Sequence, residues 1–272
     1  MTRTSEPTPN HVTSRDGTTI TYWTSGRGRP LVLIHGTTAD HTRWAPVLPY
    51  LQPHVTVHAV DRRGRGGSGD TEPYDIEREY EDVAAVIDDV AASSGTSVDV
   101  LGHSFGGFCA CGAAQLTTNV GTLALYEGWP LPDPGTVAPS SALMERMNAL
   151  IADGDREKAL ELFFRDGVRM PDDEFAVYRT LPAWKARVAA AHTITREALY
   201  IPVHDPQQSA KITVPVLMLI GQDSPFADGH LDIAAALPDA RVVVLPGQQH
   251  VAMDFIPQAF AERVLAFLRD GS

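Results

Sequence analysis

Short apolar runs, separated by segments with helical periodicity, dominate the chain, and a glycine or an acidic residue follows each run within two positions. Runs that are apolar on both faces and alternate with helices are typical of the buried strands of a parallel sheet. Six runs have this character: Leu31–Ile34, Val55–Val60, Val98–Leu101, Leu123–Tyr126, Val216–Ile220 and Val242–Leu245. The pattern predicts an α/β fold.

Two further patterns add a hairpin and a long helix. β-Branched and polar residues alternate in Val12–Ser14 and Thr18–Thr24 around Asp16-Gly17, which predicts an antiparallel hairpin at the edge of the sheet. Between Glu77 and Ser93, apolar residues recur at i, i+3, i+4 and i+7, which predicts an amphipathic helix with one face on the core. We assign this helix a packing role.

The alternation of strands and helices stops between about Trp129 and Pro215. The intervening residues contain no convincing strand, and regular alternation resumes at Val216. Four helical patterns occupy the segment: Ala142–Ala152, Arg156–Arg165, Asp172–Thr180 and Trp184–Ala191. We therefore expect residues 129–214 to form a helical cap over the carboxyl edge of a core built from residues 1–128 and 215–272.

Charge and composition narrow the classes of partner. The 22 Lys and Arg against 34 Asp and Glu leave a net charge of −12 at pH 7. Because an acidic surface repels phosphate groups, we expect no binding to nucleic acid or to an anionic membrane. No apolar stretch approaches the roughly 20 residues that span a bilayer, and Met1–Asn10 lacks the apolar core of a signal peptide. We expect a cytoplasmic protein without a membrane span.

The strongest chemical signal is the sequence Gly102-His103-Ser104-Phe105-Gly106. It follows the run Val98–Leu101 and precedes the helical pattern Phe108–Gln115. A G-x-S-x-G sequence between a strand and a helix is the signature of a nucleophile elbow, a strained turn that presents the serine hydroxyl at a helix N-terminus. In these residues the chain resembles the α/β-hydrolase fold family.

This resemblance implies a mostly parallel, eight-stranded sheet flanked by helices, and it assigns an oxyanion hole. In the family, a His-Gly pair after an early strand sets up that hole, and here His35-Gly36 follows Leu31–Ile34. The two donors would be the backbone N–H groups of Thr37 and Phe105, each worth about 3 kcal/mol of transition-state stabilisation. We expect the His35 side chain to be a hydrogen-bonded structural group, and the Thr37 hydroxyl to be either a third donor or a turn residue.

The resemblance also assigns a general base and a polar loop. His250 follows the last apolar run, where the family keeps its catalytic histidine, in the chain order serine, acid, histidine. The segment Asp61–Gly69 is similar to the family's D-x-R-G-x-G-x-S loop. We expect Asp61 and the neighbouring arginines to form a buried polar network there. The loop lacks the Lys-Ser/Thr pair of a phosphate-binding P-loop.

The acid that would orient the histidine has two candidates. The family's usual acid would lie three residues after the glycine that ends the run Val216–Ile220, but Ser224 stands there and Asp223 precedes it by one residue. Glu127 directly follows Leu123–Tyr126, and relatives within the fold, including some haloalkane dehalogenases, take their acid from the end of that strand. We favour Glu127 and keep Asp223 as the alternative.

Together these residues predict a serine-dependent hydrolase that acts through an acyl-enzyme, with Ser104 as nucleophile and His250 as base. We expect an ester or lactone of a small to medium apolar molecule as substrate, and neither a cofactor nor a metal. Trp129, Tyr178 and Trp184, all in the expected cap, are the candidate substrate contacts.

Two other functions remain open from the sequence. The same serine and histidine could serve a lyase, or an acyl-eliminating or cyclising enzyme of natural-product metabolism. A ligand-binding receptor on the same fold is the alternative of another class.

Overall fold

The computed structural model describes residues 6–130, 138–227, 233–234 and 237–270; residues 131–137 of the expected cap lie outside these ranges. One sheet of eight strands runs through the molecule in the order β1-β2-β4-β3-β5-β6-β7-β8. Pairs β1/β2 and β2/β4 are antiparallel, and all other neighbours are parallel. The strands are β1 (Thr8–Thr13), β2 (Thr19–Gly26), β3 (Arg29–Ile34), β4 (Val55–Asp61), β5 (Val98–His103), β6 (Val120–Tyr126), β7 (Val216–Gly221) and β8 (Ala240–Leu245). The predicted α/β class and mostly parallel sheet are confirmed.

Helices flank this sheet on both faces. Those of the core are α1 (Leu48–Leu51), α2 (Ile76–Ser94), α3 (Phe105–Ala113), and, after β8, α10 (Ala252–Phe255) and α11 (Pro257–Asp270). Between β6 and β7 lie α4 (Ser141–Ala152), α5 (Arg156–Leu162), α6 (Asp172–Tyr178), α7 (Trp184–Ala189), α8 (Ile194–Ala198) and α9 (Pro206–Ser209). The described residues also contain short 3₁₀ turns at His41–Trp44 and Ala191–Thr193 and a π-helical turn at Phe163–Gly167.

The side chains of each central strand divide between two apolar layers, because successive side chains point to opposite faces. In β3, Val32 and Ile34 pack with α2 and α3, whereas Leu31 and Leu33 pack with α1 and α11. Helix α2 presents Val83, Val86, Ile87 and Val90 to the first layer, as its periodicity predicts. The sheet is therefore held rigidly from both sides.

Strand β8 differs from the expectation of a strand buried on both faces. It is the last strand of the sheet, and Val242 and Val244 are 38% and 43% exposed. Helix α11 packs against Val243 and Leu245 on the other face. The apolar run Val242–Leu245 is thus a half-covered edge strand.

The segment between β6 and β7 has its own apolar cluster. In the part of it that the structure describes there are helices and no β-strand. Met147, Phe164, Phe175 and Ile194 pack together in this cluster, and Val251, from the loop after β8, joins them. The boundaries 129–214 stay a prediction. None of the helices in the described residues is long and apolar enough to cross a lipid bilayer.

Candidate active site

Ser104 lies between the end of β5 and the start of α3. Its backbone has φ +54° and ψ −129°, a strained conformation for a residue with a side chain. The turn closes because its flanking glycines have no Cβ: one on Gly106 would lie 2.3 Å from the Ile34 carbonyl oxygen, and one on Gly102 would lie 2.6 Å from Gly107 Cα. The fold thus holds Ser104 half-buried at the N-terminus of a helix.

Two backbone N–H groups border the same space as Ser104. Thr37 and Phe105 both line the cavity at Ser104, and their N–H groups donate to no acceptor in the described part of the chain. For Phe105 the reason is its place as the first residue of α3, because the first N–H groups of a helix have no partner within it. Both donors are free to bind a ligand oxygen.

His35 orients the peptide that carries the Thr37 N–H. Its Nε2 accepts from the Arg62 backbone N–H at 3.2 Å, so Nδ1 carries the proton and donates to the Gly36 carbonyl at 2.8 Å. Burial, with the positive charges of Arg62 and Arg65, holds the pKa of His35 well below its usual range. Since the Gly36 carbonyl and the Thr37 N–H belong to one planar peptide, this bond sets the direction of the N–H.

His250 forms a short hydrogen bond with Glu127. Its Nδ1 lies 2.6 Å from Glu127 Oε2, and Glu127 is 4% exposed. The carboxylate accepts two further bonds, from the Gly221 N–H at 2.7 Å and from Ser224 Oγ at 2.8 Å. With Nδ1 occupied, Nε2 of His250 is the ring nitrogen available to Ser104.

The structure separates the two candidate acids. Glu127 contacts the His250 ring, whereas Asp223 is exposed. Among the described residues, Asp223 bonds only through its backbone N–H, to the Gln248 carbonyl. Ser224, at the family's usual acid position, donates to Glu127 instead. The geometry favours Glu127.

The loop that carries His250 is anchored by aromatic side chains of the sheet. Tyr126 donates its hydroxyl to the Gln249 carbonyl and accepts from the Ala252 N–H at 3.1 Å. His103 Nε2 donates to the His250 carbonyl at 2.9 Å. Burial and His250 hold the pKa of His103 well below its usual range, so His103 is neutral. The loop is therefore fixed over the end of β5.

Ser104, His250 and Glu127 line one cavity together with Thr37 and Phe105. The volume of this cavity is about 90 Å³. Ser104 Oγ and the His250 ring share the cavity without a direct hydrogen bond, as is common before a substrate is bound.

The three predicted substrate contacts occupy different places. Trp129 lines the main cavity. Tyr178 lines a smaller adjoining cavity, which also reaches Ser104 and His250. The structure places Trp184 at neither cavity: its ring packs against Phe164 and Phe175 and its Nε1 donates to Glu157. The Trp184 indole is therefore a core side chain, with its ring packed and its N–H hydrogen-bonded.

Comparison with known proteins assigns the family. The family model described as "Alpha/beta hydrolase family" matches residues 31–263. The chain belongs to this family. A solved alpha/beta hydrolase from Sphaerobacter thermophilus is 35% identical, with a TM-score of 0.81 over 95% of this chain and all of that one. This membership makes the protein an enzyme of the hydrolase type.

Two curated relatives cover most of this alpha/beta hydrolase. A pimeloyl-[acyl-carrier protein] methyl ester esterase of Neisseria meningitidis serogroup C is 28% identical, over 86% of this chain and 91% of the esterase. A 2-hydroxy-6-oxo-6-(2'-aminophenyl)hexa-2,4-dienoic acid hydrolase of Metapseudomonas resinovorans is 28% identical, over 93% of this chain and 88% of that enzyme.

Two charged side chains at the site of this alpha/beta hydrolase were not predicted from the sequence. Arg187, from α7, lines the smaller cavity, and Glu197, from α8, lines the main one. Both are more than 95% buried. A charged residue on a helix normally indicates a solvated face, so neither carried a signal in the sequence.

One group of side chains has the spacing of a metal site, namely Asp40, His41 and Asp61. Asp61 already accepts from the His41 backbone and ring, from Trp23 Nε1 and from the Gly67 N–H. These donors satisfy both carboxylate oxygens. Arg62 and Arg63 are buried as expected, but they pair with Glu79 and Asp82 and not with Asp61. The group braces the loop after β4, and we assign it no ion.

Proposed function

We propose that this alpha/beta hydrolase cleaves a carboxylic ester or lactone of a small molecule through an acyl-enzyme on Ser104. One observation carries the proposal: a strained, half-buried serine shares a cavity with a hydrogen-bonded His–Glu pair and with two free backbone donors. These are the parts that serine-dependent acyl transfer requires.

In the proposed reaction, His250 Nε2 takes the Ser104 proton while Oγ bonds to the ester carbonyl carbon. The N–H groups of Thr37 and Phe105 stabilise the resulting oxyanion. When the carbonyl re-forms, the bond to the alcohol oxygen breaks and His250 returns the proton to that oxygen. Water, activated by the same imidazole, then releases the acid. Glu127 holds the ring with Nδ1 protonated and stabilises the imidazolium.

The lining of the main cavity supports a substrate with an apolar body, and one relative supports an ester. Apolar side chains from the core and from the segment between β6 and β7 form most of its walls: Phe105, Phe108, Trp129, Phe163, Ile194 and Phe226. We propose that residues 129–214 act as a cap, since both parts of the chain enclose Ser104. One relative is named a methyl ester esterase. The other is named a hydrolase of a dienoic acid, which supports hydrolysis without specifying an ester.

A direct test is labelling with a fluorophosphonate, which reacts with activated serines. We expect one phosphonyl group per chain, on the peptide that contains Ser104, and a burst of nitrophenol from p-nitrophenyl acetate equal to the labelled fraction. Reaction in ¹⁸O-labelled water should place one label in the acid product. An unlabelled acid from a productive substrate would contradict hydrolysis and favour elimination or cyclisation.

We expect kcat/KM for a neutral ester to fall as the pH is lowered, because an imidazolium at His250 cannot accept the Ser104 proton. His35 and His103 do not contribute to this limb, since burial holds the pKa of each well below the usual range. Initial rates between about pH 5 and 8, where histidines usually titrate, measure the profile. A flat profile would contradict a histidine base.

Replacing His35 tests the oxyanion hole. We expect His35→Ala to lower kcat by up to about 10²-fold with little change in KM, because the Gly36–Thr37 peptide loses its orienting donor and one oxyanion bond weakens. His35→Asn keeps an N–H near the position of Nδ1 and should recover part of the rate. Equal losses in both variants, or a rise in KM alone, would contradict this positioning role.

A further inference from the structure

Arg187 is a buried cation without an anionic partner. It is 4% exposed, and no carboxylate in the described residues forms an ion pair with it. Its Nη1 makes two long contacts, to the Thr37 carbonyl at 3.5 Å and to Thr38 Oγ1 at 3.4 Å. An unpaired buried charge is costly, so such a group usually awaits a ligand or an anion.

The charged and titratable groups around Arg187 compensate its charge only at a distance, without a direct ion pair in the described residues. Arg43 faces it but already pairs with Asp254 at 2.6 Å. The rings of Tyr178 and Phe164 lie against the guanidinium, with centroids 5.1 and 5.6 Å from its carbon. Burial and Arg43 together lower the pKa of Arg187 from its usual value, although the Tyr178 hydroxyl, Asp254 and Asp40 oppose them. A bound anion would compensate the buried positive charge of Arg187.

Tyr178 supplies a second unused donor at the same place. The residue is 2% exposed, and its hydroxyl has no hydrogen-bond partner among the described residues. Buried hydroxyl groups are nearly always bonded, so an unbonded one indicates a missing partner. Tyr178 and Arg187 come from α6 and α7, and both line the smaller cavity with Ser104 and Thr37.

The dimensions of the smaller cavity limit the anion. The volume of this cavity is about 30 Å³. The small volume favours a planar carboxylate over a bulkier tetrahedral phosphate, and the fork of guanidinium N–H groups matches the two oxygens of a carboxylate. Apolar side chains form the remaining wall, including Phe163, Phe164 and Val168.

We propose that Arg187 and Tyr178 form a subsite for a carboxylate carried by the substrate, which makes them specificity-determining residues. The inference rests on the proposed function and deepens it: the preferred substrate is an ester with an apolar body and one free carboxylate near the scissile bond. Arg187 binds that carboxylate through the guanidinium nitrogens that face no protein acceptor, and Tyr178 donates its hydroxyl.

Matched esters test this preference on the wild-type enzyme. Monomethyl malonate, succinate and glutarate are paired with methyl acetoacetate, levulinate and 5-oxohexanoate, in which a methyl group replaces one carboxylate oxygen. Acetoxyacetate and acetoxyacetone form a further pair, in which the alcohol part of the ester carries the carboxylate or the ketone. The kcat/KM of each ester is measured as acid release in a pH-stat. It is then divided by the rate constant for alkaline hydrolysis of the same ester, so that differences in intrinsic reactivity cancel. We expect the anionic member of at least one pair to be preferred by 10²-fold or more, because a site built for a polar group rejects an analogue that lacks it.

Variants assign the preference to the two residues. We expect Arg187→Met to abolish it and Tyr178→Phe to lower it about tenfold, while the rate on the neutral partner changes far less. Arg179→Met is the matched control, since Arg179 is an exposed arginine of the same segment that pairs with Glu161. If Arg187→Met does not fold, the matched ester pairs on the wild-type enzyme and the Tyr178→Phe variant still test the proposal. Neutral esters that equal or exceed their anionic partners in every pair would overturn the proposal.

Failure of the subsite can be told apart from failure of the proposed function. Fluorophosphonate labelling of Ser104 without an anion preference overturns the subsite alone. If no ester is cleaved and Ser104 is not labelled, the hydrolytic proposal fails, and thermal stabilisation by monomethyl succinate is measured instead. Stabilisation of the wild type that is lost in Arg187→Met supports the subsite even then, and no stabilisation overturns it.

Discussion

Ser104→Ala is expected to lower kcat on the best ester by about 10⁶-fold, the usual cost of removing a nucleophilic serine that acts with a histidine. The loss should be specific to the chemical step, because alanine removes only the hydroxyl from the elbow. The backbone at residue 104 keeps its positive φ in the variant, so the free energy of unfolding should change little. Steady-state kinetics with thermal unfolding of the same preparations measure both quantities.

The matched control is Ser94→Ala, at the exposed end of α2 and remote from the cavity. It should retain wild-type turnover and react with a fluorophosphonate, whereas Ser104→Ala should do neither. Retention of most of the turnover by Ser104→Ala would instead favour a mechanism in which the histidine acts as a base without a covalent intermediate.

The second large effect is expected for Glu127→Gln, at about 10⁴-fold in kcat. Glutamine keeps the shape of the side chain, but it can no longer stabilise the imidazolium, and its amide group can leave His250 in the wrong tautomer. The carboxylate receives three donors, from the His250 ring, the Gly221 N–H and Ser224 Oγ. Unfolding experiments on the same variant separate lost stability from lost catalysis.

Asp223→Asn is the comparison for that variant, since Asp223 is the alternative acid at the neighbouring loop position. Its side chain is exposed and we expect turnover near that of the wild type. A severe loss in Asp223→Asn with near-normal turnover in Glu127→Gln would reverse the assignment of the acid.

Much of the fold could be predicted from the sequence because its signals are local. All six apolar runs lie within strands, and the Asp16-Gly17 hairpin and helix α2 lie within a few residues of their predicted bounds. Apolar residues that recur every two or every 3.6 positions show which face of a strand or helix is buried. Each segment therefore specifies its own secondary structure. The Gly-x-Ser-x-Gly sequence is equally local, which is why the position of Ser104 between a strand and a helix was predictable.

Other features depend on contacts between distant parts of the chain, and only the tertiary structure decided them. Glu127 and His250 are 123 residues apart, and their approach depends on how β6 and the loop after β8 end at the same sheet edge. The exposed face of β8 and the packing of Trp184 in a core could not be predicted from the sequence either. The sequence of an apolar run or the presence of an indole does not show which other residues pack against it. The sequence by itself determined the elements, the family resemblance and the candidate nucleophile and base. The tertiary structure decided which carboxylate meets the histidine and which charged side chain lies unpaired beside it, since side-chain direction and burial are properties of the packed molecule.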